Sequence, residues 1–168
     1  MIILFPTELE AARLREVRPD LDIRICGVGA VECAIEVARI LRTERGPLIL
    51  CGIAGAYDHT LQKGDVVAVT EERYAHISTG YIDSYHPSIE VNLPTVISNT
   101  VSHCGMEADG ADIENMEGAA LFALAKAEGV PCAEIRAISN YVGEERKDWK
   151  IDLALERLTE TILELEME

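Results

Sequence analysis

A continuous apolar run from Pro47 to Ala54 constrains the fold of this chain more than any other feature. An unbroken run of this length, bounded by turn residues, is typical of a β-strand that is buried on both faces. Gly52 and Gly55 leave the backbone uncovered near the end of the run, so another group can approach it closely. The run therefore predicts a central strand of a layered structure, with a pocket floor at its end.

Predicted strands and helices alternate along the rest of the chain. Further strands are predicted at residues 2–5, 21–26, 64–73, 94–98 and 131–139. Helical spacing of apolar residues predicts helices at residues 8 onward, 30–45, 116–128 and 151 onward. Residues 78–92 carry turn residues without a clear period and are predicted to form a loop. This order predicts an α/β fold in three layers, a largely parallel, mixed central sheet with flanking helices.

Composition and charge exclude several classes of protein. The 168 residues are 48% hydrophobic, so they can bury a substantial core, and we expect one domain over residues 1–168. Thirty acidic against fifteen basic side chains give a net charge of -15, which repels nucleic acid and anionic membrane surfaces. The apolar runs are too short to cross a bilayer, and the first residues lack a basic segment with a cleavage site. We therefore expect a cytoplasmic protein with neither nucleic-acid nor membrane partners.

The cysteines and histidines show no metal-binding pattern. The five cysteines form an odd number without a CxxC pair, and most lie in apolar stretches, so they are predicted to be reduced core residues. They are Cys26, Cys33, Cys51, Cys104 and Cys132. The four histidines have no ligand spacing, and we expect neither a metal nor another cofactor.

Polar residues follow several of the predicted strands. Polar residues lie in segments 7–10 and 139–141, after predicted strands, and in segment 115–118, at a helix start; the glycine segment 52–55 after the central strand is the fourth. Because the ligand crevice of an open α/β sheet lies beyond the carboxyl ends of its strands, we expect these segments to meet at one site.

A dinucleotide-binding turn is the first alternative to test, because Gly27 and Gly29 follow a predicted strand and precede a helix. That fingerprint needs a third glycine three positions further on, where this chain has Glu32. We therefore interpret the two glycines as structural.

Taken together, these segments resemble the nucleoside phosphorylase superfamily. Glu10 stands where the nucleosidases of the superfamily carry an N-terminal catalytic glutamate. Residues 51–56 (CGIAGA) and 64–67 (GDVV) are similar to its signature strand, loop and strand, and residues 115–120 (NMEGAA) to its ribose-binding helix start. Residues 136–140 (RAISN) are similar to the segment that holds its purine-recognition side chain. The resemblance implies a nucleoside phosphorylase-like fold, a small purine nucleoside as ligand, and a homodimer or higher homo-oligomer.

Within the superfamily, residues 135–155 (IRAISNYVGEERKDWKIDLAL) resemble the futalosine hydrolases most closely. The resemblance implies hydrolysis of futalosine to hypoxanthine and dehypoxanthine futalosine in menaquinone biosynthesis. Phosphorylases of the superfamily place an arginine and a serine around the glycine loop, where this chain has Leu50 and Ile53, so water is the expected nucleophile.

The resemblance also assigns roles to individual residues. Glu10 is the expected catalytic base, with Glu8 as the alternative. Glu117, beside Met116, is expected to bind the ribose hydroxyls, and carboxylates there suit a reaction that develops positive charge on the sugar. The purine is expected to contact Ala54, Gly55 and Asn140. Asn140 is also expected to have a catalytic role at the leaving group.

Asn140 is the residue that favours a 6-oxopurine. Adenine-specific nucleosidases of the superfamily have an aspartate at this place, whereas a carboxamide offers both a donor and an acceptor to hypoxanthine. Arg146 and Lys147 form a basic cluster that could meet a carboxylate at the far end of futalosine, although solvated loop residues are the commoner case.

Other interpretations stay open at this stage. Glu10 could cap a helix, and Asn140 could cap the turn after its strand. Glu117 could be a carboxylate that the helix dipole favours at a helix N-terminus. The alternative activity is a nucleosidase for methylthioadenosine or S-adenosylhomocysteine. The alternative from another class is a noncatalytic nucleoside-binding module.

Overall fold

The structure, a computed structural model, describes residues 1–75 and 82–165. These residues form eight strands, which are β1 Ile2–Phe5, β2 Ile23–Ile25, β3 Leu48–Ala56, β4 Val66–Ala75, β5 Ile82–Tyr85, β6 Thr95–Thr100, β7 Ile113–Asn115 and β8 Cys132–Tyr141. They also form four α-helices, which are α1 Glu8–Val17, α2 Ala30–Leu41, α3 Gly118–Glu128 and α4 Ile151–Leu165. A short 3-10 helix, Arg146–Asp148, precedes α4.

The strands make one mixed sheet in the order β2-β1-β3-β7-β6-β4-β5, and β8 joins β3 to β4. Neighbours β1–β2, β1–β3, β3–β8, β4–β6 and β6–β7 are parallel, whereas β3–β7, β4–β5 and β4–β8 are antiparallel. Strands β3, β8, β4, β6 and β7 therefore close a ring. The predicted fold class, a largely parallel mixed sheet with flanking helices, is confirmed.

Helices cover the sheet on two sides and bury its apolar residues. Cys33 and Val37 of α2 and Leu121 and Phe122 of α3 pack into one apolar core with β1 and β3. A second core is built from α1, α4 and the other side of the same strands, including Leu14, Leu155 and Leu158. Burial of these faces, about 25 cal/mol per Å² of apolar surface, holds the three layers together.

Several boundaries and two strands differ from the sequence prediction. Residues 82–85, inside the predicted loop 78–92, form β5 against β4, and residues 78–81 of that loop lie outside the described residues. β7 has three residues, which are too few to show a period in the sequence. The strand is defined by its pairing with β3 and β6. The second helix ends at Leu41 rather than at residue 45, and α3 begins at Gly118.

The cysteine prediction is correct for four of five residues. Cys26, Cys33, Cys51 and Cys132 are buried, whereas Cys104 is exposed in the loop between β6 and β7. Among the described residues, every helix is too short or too polar to cross a lipid bilayer. The single domain over residues 1–168 and the cytoplasmic location stay predictions.

Candidate active site

A cavity of about 280 Å³ opens beside the carboxyl ends of β1, β3 and β8. Its walls contain most of the residues that the sequence predicts for the site, which are Glu10, Ala54, Gly55, Met116, Glu117, Asn140 and Arg146. The four segments at the strand ends therefore meet at one place, as expected for an α/β sheet. Ligand pockets usually have volumes of about 300–1,000 Å³, so a small organic ligand is the appropriate size.

Glu10 projects from the first turn of α1 toward β3. Thr7 caps the helix by accepting a hydrogen bond from the Glu10 backbone N–H (3.2 Å), and its hydroxyl donates to Glu10 Oε2 (2.7 Å). The backbone N–H of Ile53 donates to Glu10 Oε1 (3.0 Å). Burial raises the pKa of Glu10, while the bonds from Thr7 and Ile53 lower it. The Thr7 side chain therefore caps the helix, while the Glu10 carboxylate faces the cavity.

Glu8, the alternative base, points elsewhere. Its carboxylate is exposed and pairs with Arg15, and it does not line the cavity. Glu8 and Glu10 are two positions apart on α1, which places the two side chains about 200° apart around the helix axis. The geometry favours Glu10 over Glu8.

Glu117 lies between two helices and is 3% exposed. It precedes α3, but its side chain reaches α2, where the backbone N–H of Gly29 donates to Glu117 Oε1 (2.9 Å). Arg136 Nη2 donates to Glu117 Oε2 (3.2 Å). Each carboxylate oxygen keeps a second lone pair for a ligand. Gly29 has φ +92°, a left-handed conformation that favours glycine, and in this conformation its N–H points to the Glu117 carboxylate.

Arg136 forms the floor beneath the two glutamates and is 1% exposed. Its Nε donates to Glu134 Oε1 (2.7 Å), and its Nη2 donates to Asn115 Oδ1 (3.0 Å) as well as to Glu117. Nearby charges, above all that of Glu134, raise its pKa despite burial, which acts in the opposite direction. This buried cation balances the anions that surround it.

Asn140 ends β8 inside the cavity and is 4% exposed. The Ser139 hydroxyl donates to its Oδ1 (2.7 Å), and its Nδ2 donates to the carbonyl oxygen of Tyr141 (3.1 Å). A 180° turn of the carboxamide would place Oδ1 against that carbonyl, so the two bonds hold one orientation. A fixed donor and a fixed acceptor are thus available at this end of the cavity.

The glycines of β3 make room for these side chains. A Cβ added at Gly52 would lie 2.6 Å from Arg136 Nη1 and 3.0 Å from Glu10 Oε1. A Cβ at Gly55 would lie 3.0 Å from Asn140 Nδ2. The predicted close approach at the end of this strand is therefore made by the site's own side chains.

Arg146 and Lys147 behave differently although they are neighbours. Arg146 lines the cavity and lies 5.2 Å from the Trp149 ring centroid, in a cation–π contact. Lys147 does not line the cavity; it pairs with Glu145 in solvent (2.5 Å). Successive residues of a 3-10 helix point about 120° apart, so the geometry favours Arg146 over Lys147 for the tail contact, which stays a prediction.

Two further residues of the site were not assigned a role from the sequence. Glu114 lines the cavity, where its carboxylate accepts hydrogen bonds from the Gly105 N–H (2.8 Å) and the Tyr57 hydroxyl (3.2 Å). Arg136 was noted only as part of a similar segment. The signal that could have found Arg136 is its spacing from Glu134. The two charged residues occupy alternate positions of an apolar strand, so both side chains must lie on one buried face.

The sequence comparison supports the expected resemblance. Residues 98–165 match a family model described as the phosphorylase superfamily, which confirms the resemblance predicted from the sequence. This segment contains the end of β6 and all of β7, α3, β8 and α4, and with them Glu117 and Asn140. A search of curated proteins gives no match.

Solved structures share the fold over nearly the whole chain. A futalosine hydrolase mutant from Helicobacter pylori has a TM-score of 0.84 at 12% identity, with 98% of this chain and 96% of that chain covered. A 5′-methylthioadenosine/S-adenosylhomocysteine nucleosidase from Colwellia psychrerythraea, in complex with adenine, has a TM-score of 0.82 at 22% identity, covering 97% and 92%. A nucleosidase variant from Chlamydia trachomatis bound to MTA has a TM-score of 0.82 at 18% identity, covering 99% and 96%. The chain therefore has the nucleoside phosphorylase-like fold, with a carboxylate-lined cavity at its strand ends.

Arg136→Met is expected to lower the free energy of unfolding by about 3–5 kcal/mol, because Glu134 and Glu117 would be left buried without their cation. Denaturant unfolding at neutral pH measures the loss. Arg39→Met is the matched control, since Arg39 pairs with Glu36 at 68% exposure and should change stability by less than about 1 kcal/mol. Equal, small losses in both variants would contradict a structural role for the buried cation.

Proposed function

We propose that this protein is a purine nucleosidase that hydrolyses the N-glycosidic bond of futalosine, giving hypoxanthine and dehypoxanthine futalosine. The observation that carries the proposal is the convergence of two buried carboxylates, Glu10 and Glu117, and one oriented carboxamide, Asn140, in one cavity. The resemblance of residues 135–155 to futalosine hydrolases supports the choice of substrate.

In the proposed reaction, a water molecule attacks C1′ of the ribose while the C1′–N9 bond breaks and its electron pair leaves with the purine. Glu10 accepts the proton of the water. Its oxygens are held by Thr7 and Ile53, so the carboxylate is positioned before the substrate binds. A raised pKa brings this base closer to neutral pH, where general bases are most effective.

Glu117 accepts hydrogen bonds from the ribose hydroxyls, beside Met116. Positive charge develops on the ribose ring as the bond to the purine lengthens, and an adjacent carboxylate stabilises that charge. Arg136 and the Gly29 N–H hold the two oxygens of Glu117 from behind. The lone pairs that remain are the ones proposed to meet the sugar.

Asn140 binds the leaving purine, with Ala54 and Gly55 beside it. Its Nδ2 donates to O6 of a 6-oxopurine. The purine anion takes a proton at N7 from solvent water, while Glu10 later returns its own proton to solvent, and Asn140 Oδ1 then accepts a hydrogen bond from N7–H. The hydrogen bonds of Ser139 and Tyr141 support this orientation. Adenine carries an amino group instead of O6, so two donors would face each other.

The second candidate is hydrolysis of methylthioadenosine or S-adenosylhomocysteine. It is favoured by the shared fold with the adenine-bound nucleosidase from Colwellia psychrerythraea. Asn140 in place of an aspartate argues against it. A homodimer or higher homo-oligomer stays a prediction, which is supported by exposed apolar side chains at the cavity and along α2, namely Leu9, Val28, Val31 and Ile35.

Incubation with futalosine is expected to release hypoxanthine in buffer without phosphate. The second product is expected to be dehypoxanthine futalosine, without a phosphate group at C1′. Chromatography of the base released from futalosine, inosine, methylthioadenosine and S-adenosylhomocysteine measures the preference. Glu10→Gln is expected to lower kcat by about 10²–10⁴, because the amide cannot accept the proton. The wild-type rate should fall as pH drops through the raised pKa of Glu10, since only the ionised form is a base.

Release of adenine without hypoxanthine would reject futalosine and select the second candidate. A requirement for phosphate would reject hydrolysis. Tight binding of nucleosides without release of any base, and without effect of Glu10→Gln on binding, would identify a noncatalytic nucleoside-binding module. Glu8→Gln is the matched control, because its exposed carboxylate lies outside the cavity and its loss should leave the rate unchanged.

Asn140→Asp is expected to shift the preference from hypoxanthine toward adenine nucleosides. The carboxylate would lose the donor to O6, and a lost or unpaired buried hydrogen bond costs about 1–3 kcal/mol, roughly ten- to a hundredfold or more in kcat/KM. The ratio of kcat/KM for inosine and adenosine, compared between variant and wild type, measures the shift. An unchanged ratio would show that Asn140 does not read the 6-position.

Arg146→Ala is expected to raise KM for futalosine by up to about fivefold, because an exposed arginine contributes about 0–1 kcal/mol to a carboxylate contact. KM for inosine, which has no carboxylate, should not change. Lys147→Ala is the matched control, since the adjacent side chain points away from the cavity. Equal effects of Arg146→Ala on both substrates, or of both variants on futalosine, would contradict the tail contact.

A further inference from the structure

Two glutamates lie beneath the candidate site and have no part in the proposed hydrolysis. Glu72 on β4 is 0% exposed and Glu134 on β8 is 1% exposed, and neither lines the cavity. Buried carboxylates are costly unless each oxygen has a partner, so their presence requires an explanation.

Half of their oxygens are satisfied in an ordinary way. Glu72 Oε1 accepts hydrogen bonds from Thr100 Oγ1 (2.6 Å) and Asn115 Nδ2 (2.8 Å). Glu134 Oε1 accepts from Arg136 Nε (2.7 Å). Among the described residues, the only buried side-chain N and O atoms without a conventional donor or acceptor are Glu72 Oε2 and Glu134 Oε2.

These two carboxyl groups lie side by side against Gly118, the first residue of α3. A Cβ added at Gly118 would lie 2.7 Å from Glu72 Cδ and 2.9 Å from Glu134 Oε1, and it would also overlap Glu134 Oε2. Two ionised carboxylates that lie this near to each other, without water between them, would repel each other. One proton between the two unpaired oxygens satisfies both of them.

The surroundings decide which group keeps the proton. Arg136 pairs directly with Glu134, whereas Glu72 is bonded by the neutral groups of Thr100 and Asn115. Burial, followed by the charge of Glu134, raises the pKa of Glu72 well above its ordinary value. Burial also raises the pKa of Glu134, but the charge of Arg136 and its hydrogen bond to Glu134 oppose that effect.

We propose that Glu72 is a neutral carboxylic acid at pH 7 that donates from Oε2 to the Glu134 carboxylate, and that this pair positions Arg136 and, through it, Glu117. Glu72 and Glu134 are positioning residues, because neither touches the cavity. The positioning part rests on the proposed function, in which Glu117 binds ribose, whereas the shared proton does not.

The contacts transmit a change at this pair to the site. Arg136 bonds Glu134 through Nε and Glu117 through Nη2, so a second anion at Glu72 would draw the guanidinium away from Glu117. Asn115 joins Glu72 to the backbone N–H of Glu117 (2.8 Å) by its opposite end. The charged or titratable groups around the pair are Arg136, Glu117, Glu10 beyond the guanidinium, and the thiols of Cys51 and Cys132.

The test compares Glu72→Gln, Glu72→Ala and Glu134→Gln with the wild type. A glutamine at position 72 supplies a permanent N–H toward Glu134 and keeps the acceptor for Thr100 and Asn115. Glu72→Gln is therefore expected to keep kcat/KM within about threefold of wild type, whereas Glu72→Ala loses tenfold or more and raises KM. Glu134→Gln, which removes the anion bound to Arg136, is expected to lose tenfold or more as well.

Infrared spectra give a readout that a purely structural role would not move. The wild type at pH 7 is expected to show the carbonyl stretch of a buried protonated carboxylic acid, and Glu72→Gln is expected to lack that band. Its absence from the wild type, or its persistence in Glu72→Gln, would overturn the proposal.

The pH dependence of stability gives a second readout. A group whose pKa is raised in the folded state holds a proton that the unfolded chain releases above the ordinary value of 4.5, so folding weakens as pH rises. Relative to Glu72→Gln, the wild-type folding constant should fall by up to tenfold per pH unit between that value and the folded-state pKa. Parallel pH profiles of the two proteins would contradict a retained proton.

The two proposals fail in different ways. If the wild type releases no base from any nucleoside, the proposed function fails, while the infrared band and the pH profile still decide the shared proton. If base is released but the band is missing, the shared proton fails and the hydrolysis stands. If the band is present but Glu72→Ala and Glu134→Gln leave kcat and KM unchanged, the positioning role fails.

Discussion

The buried guanidinium of Arg136 is the interaction on which the rest of the site depends. A cation without access to water is stable only where acceptors surround it, and here they come from β7, β8 and the start of α3. Because each acceptor belongs to a different element, the cation fixes the relative positions of these elements. The same contacts that balance its charge therefore set the place of the Glu117 carboxylate at the cavity floor.

The ring of strands explains how so many polar groups can be buried in so small a protein. Ser98, Thr100 and Asn115 come from β6 and β7 and bond Glu72 or one another, so a network of buried polar groups lies beside the two apolar cores. Hydrogen bonds in a low-dielectric interior are strong when every group has a partner. Such a network favours one arrangement of the strand ends, which is what a site built from several loops requires.

The arrangement also places chemically different groups at different ends of one cavity. Glu10 and Glu117 lie over the buried cation, and Asn140 lies at the end of β8, where Ser139 and Tyr141 hold its carboxamide. The two parts of a nucleoside also differ chemically. In the proposed hydrolysis the sugar develops positive charge, and the base leaves with an electron pair. The cavity therefore suits a nucleoside better than a ligand of uniform polarity.

The sequence by itself determined the α/β class, a central strand predicted at residues 47–54 and observed at 48–56, and the set of strand-end residues, because apolar periodicity and turn residues are local properties of the chain. It also identified Glu10, Glu117 and Asn140, through their place in segments that resemble a known family. Only the tertiary structure placed Glu10 and Arg146 at the cavity and Glu8 and Lys147 outside it, because side-chain direction depends on helix phase and packing. It alone placed the three-residue strand β7 and joined Glu72 to Glu134, since residues 62 positions apart along the chain meet only when the ring of strands closes.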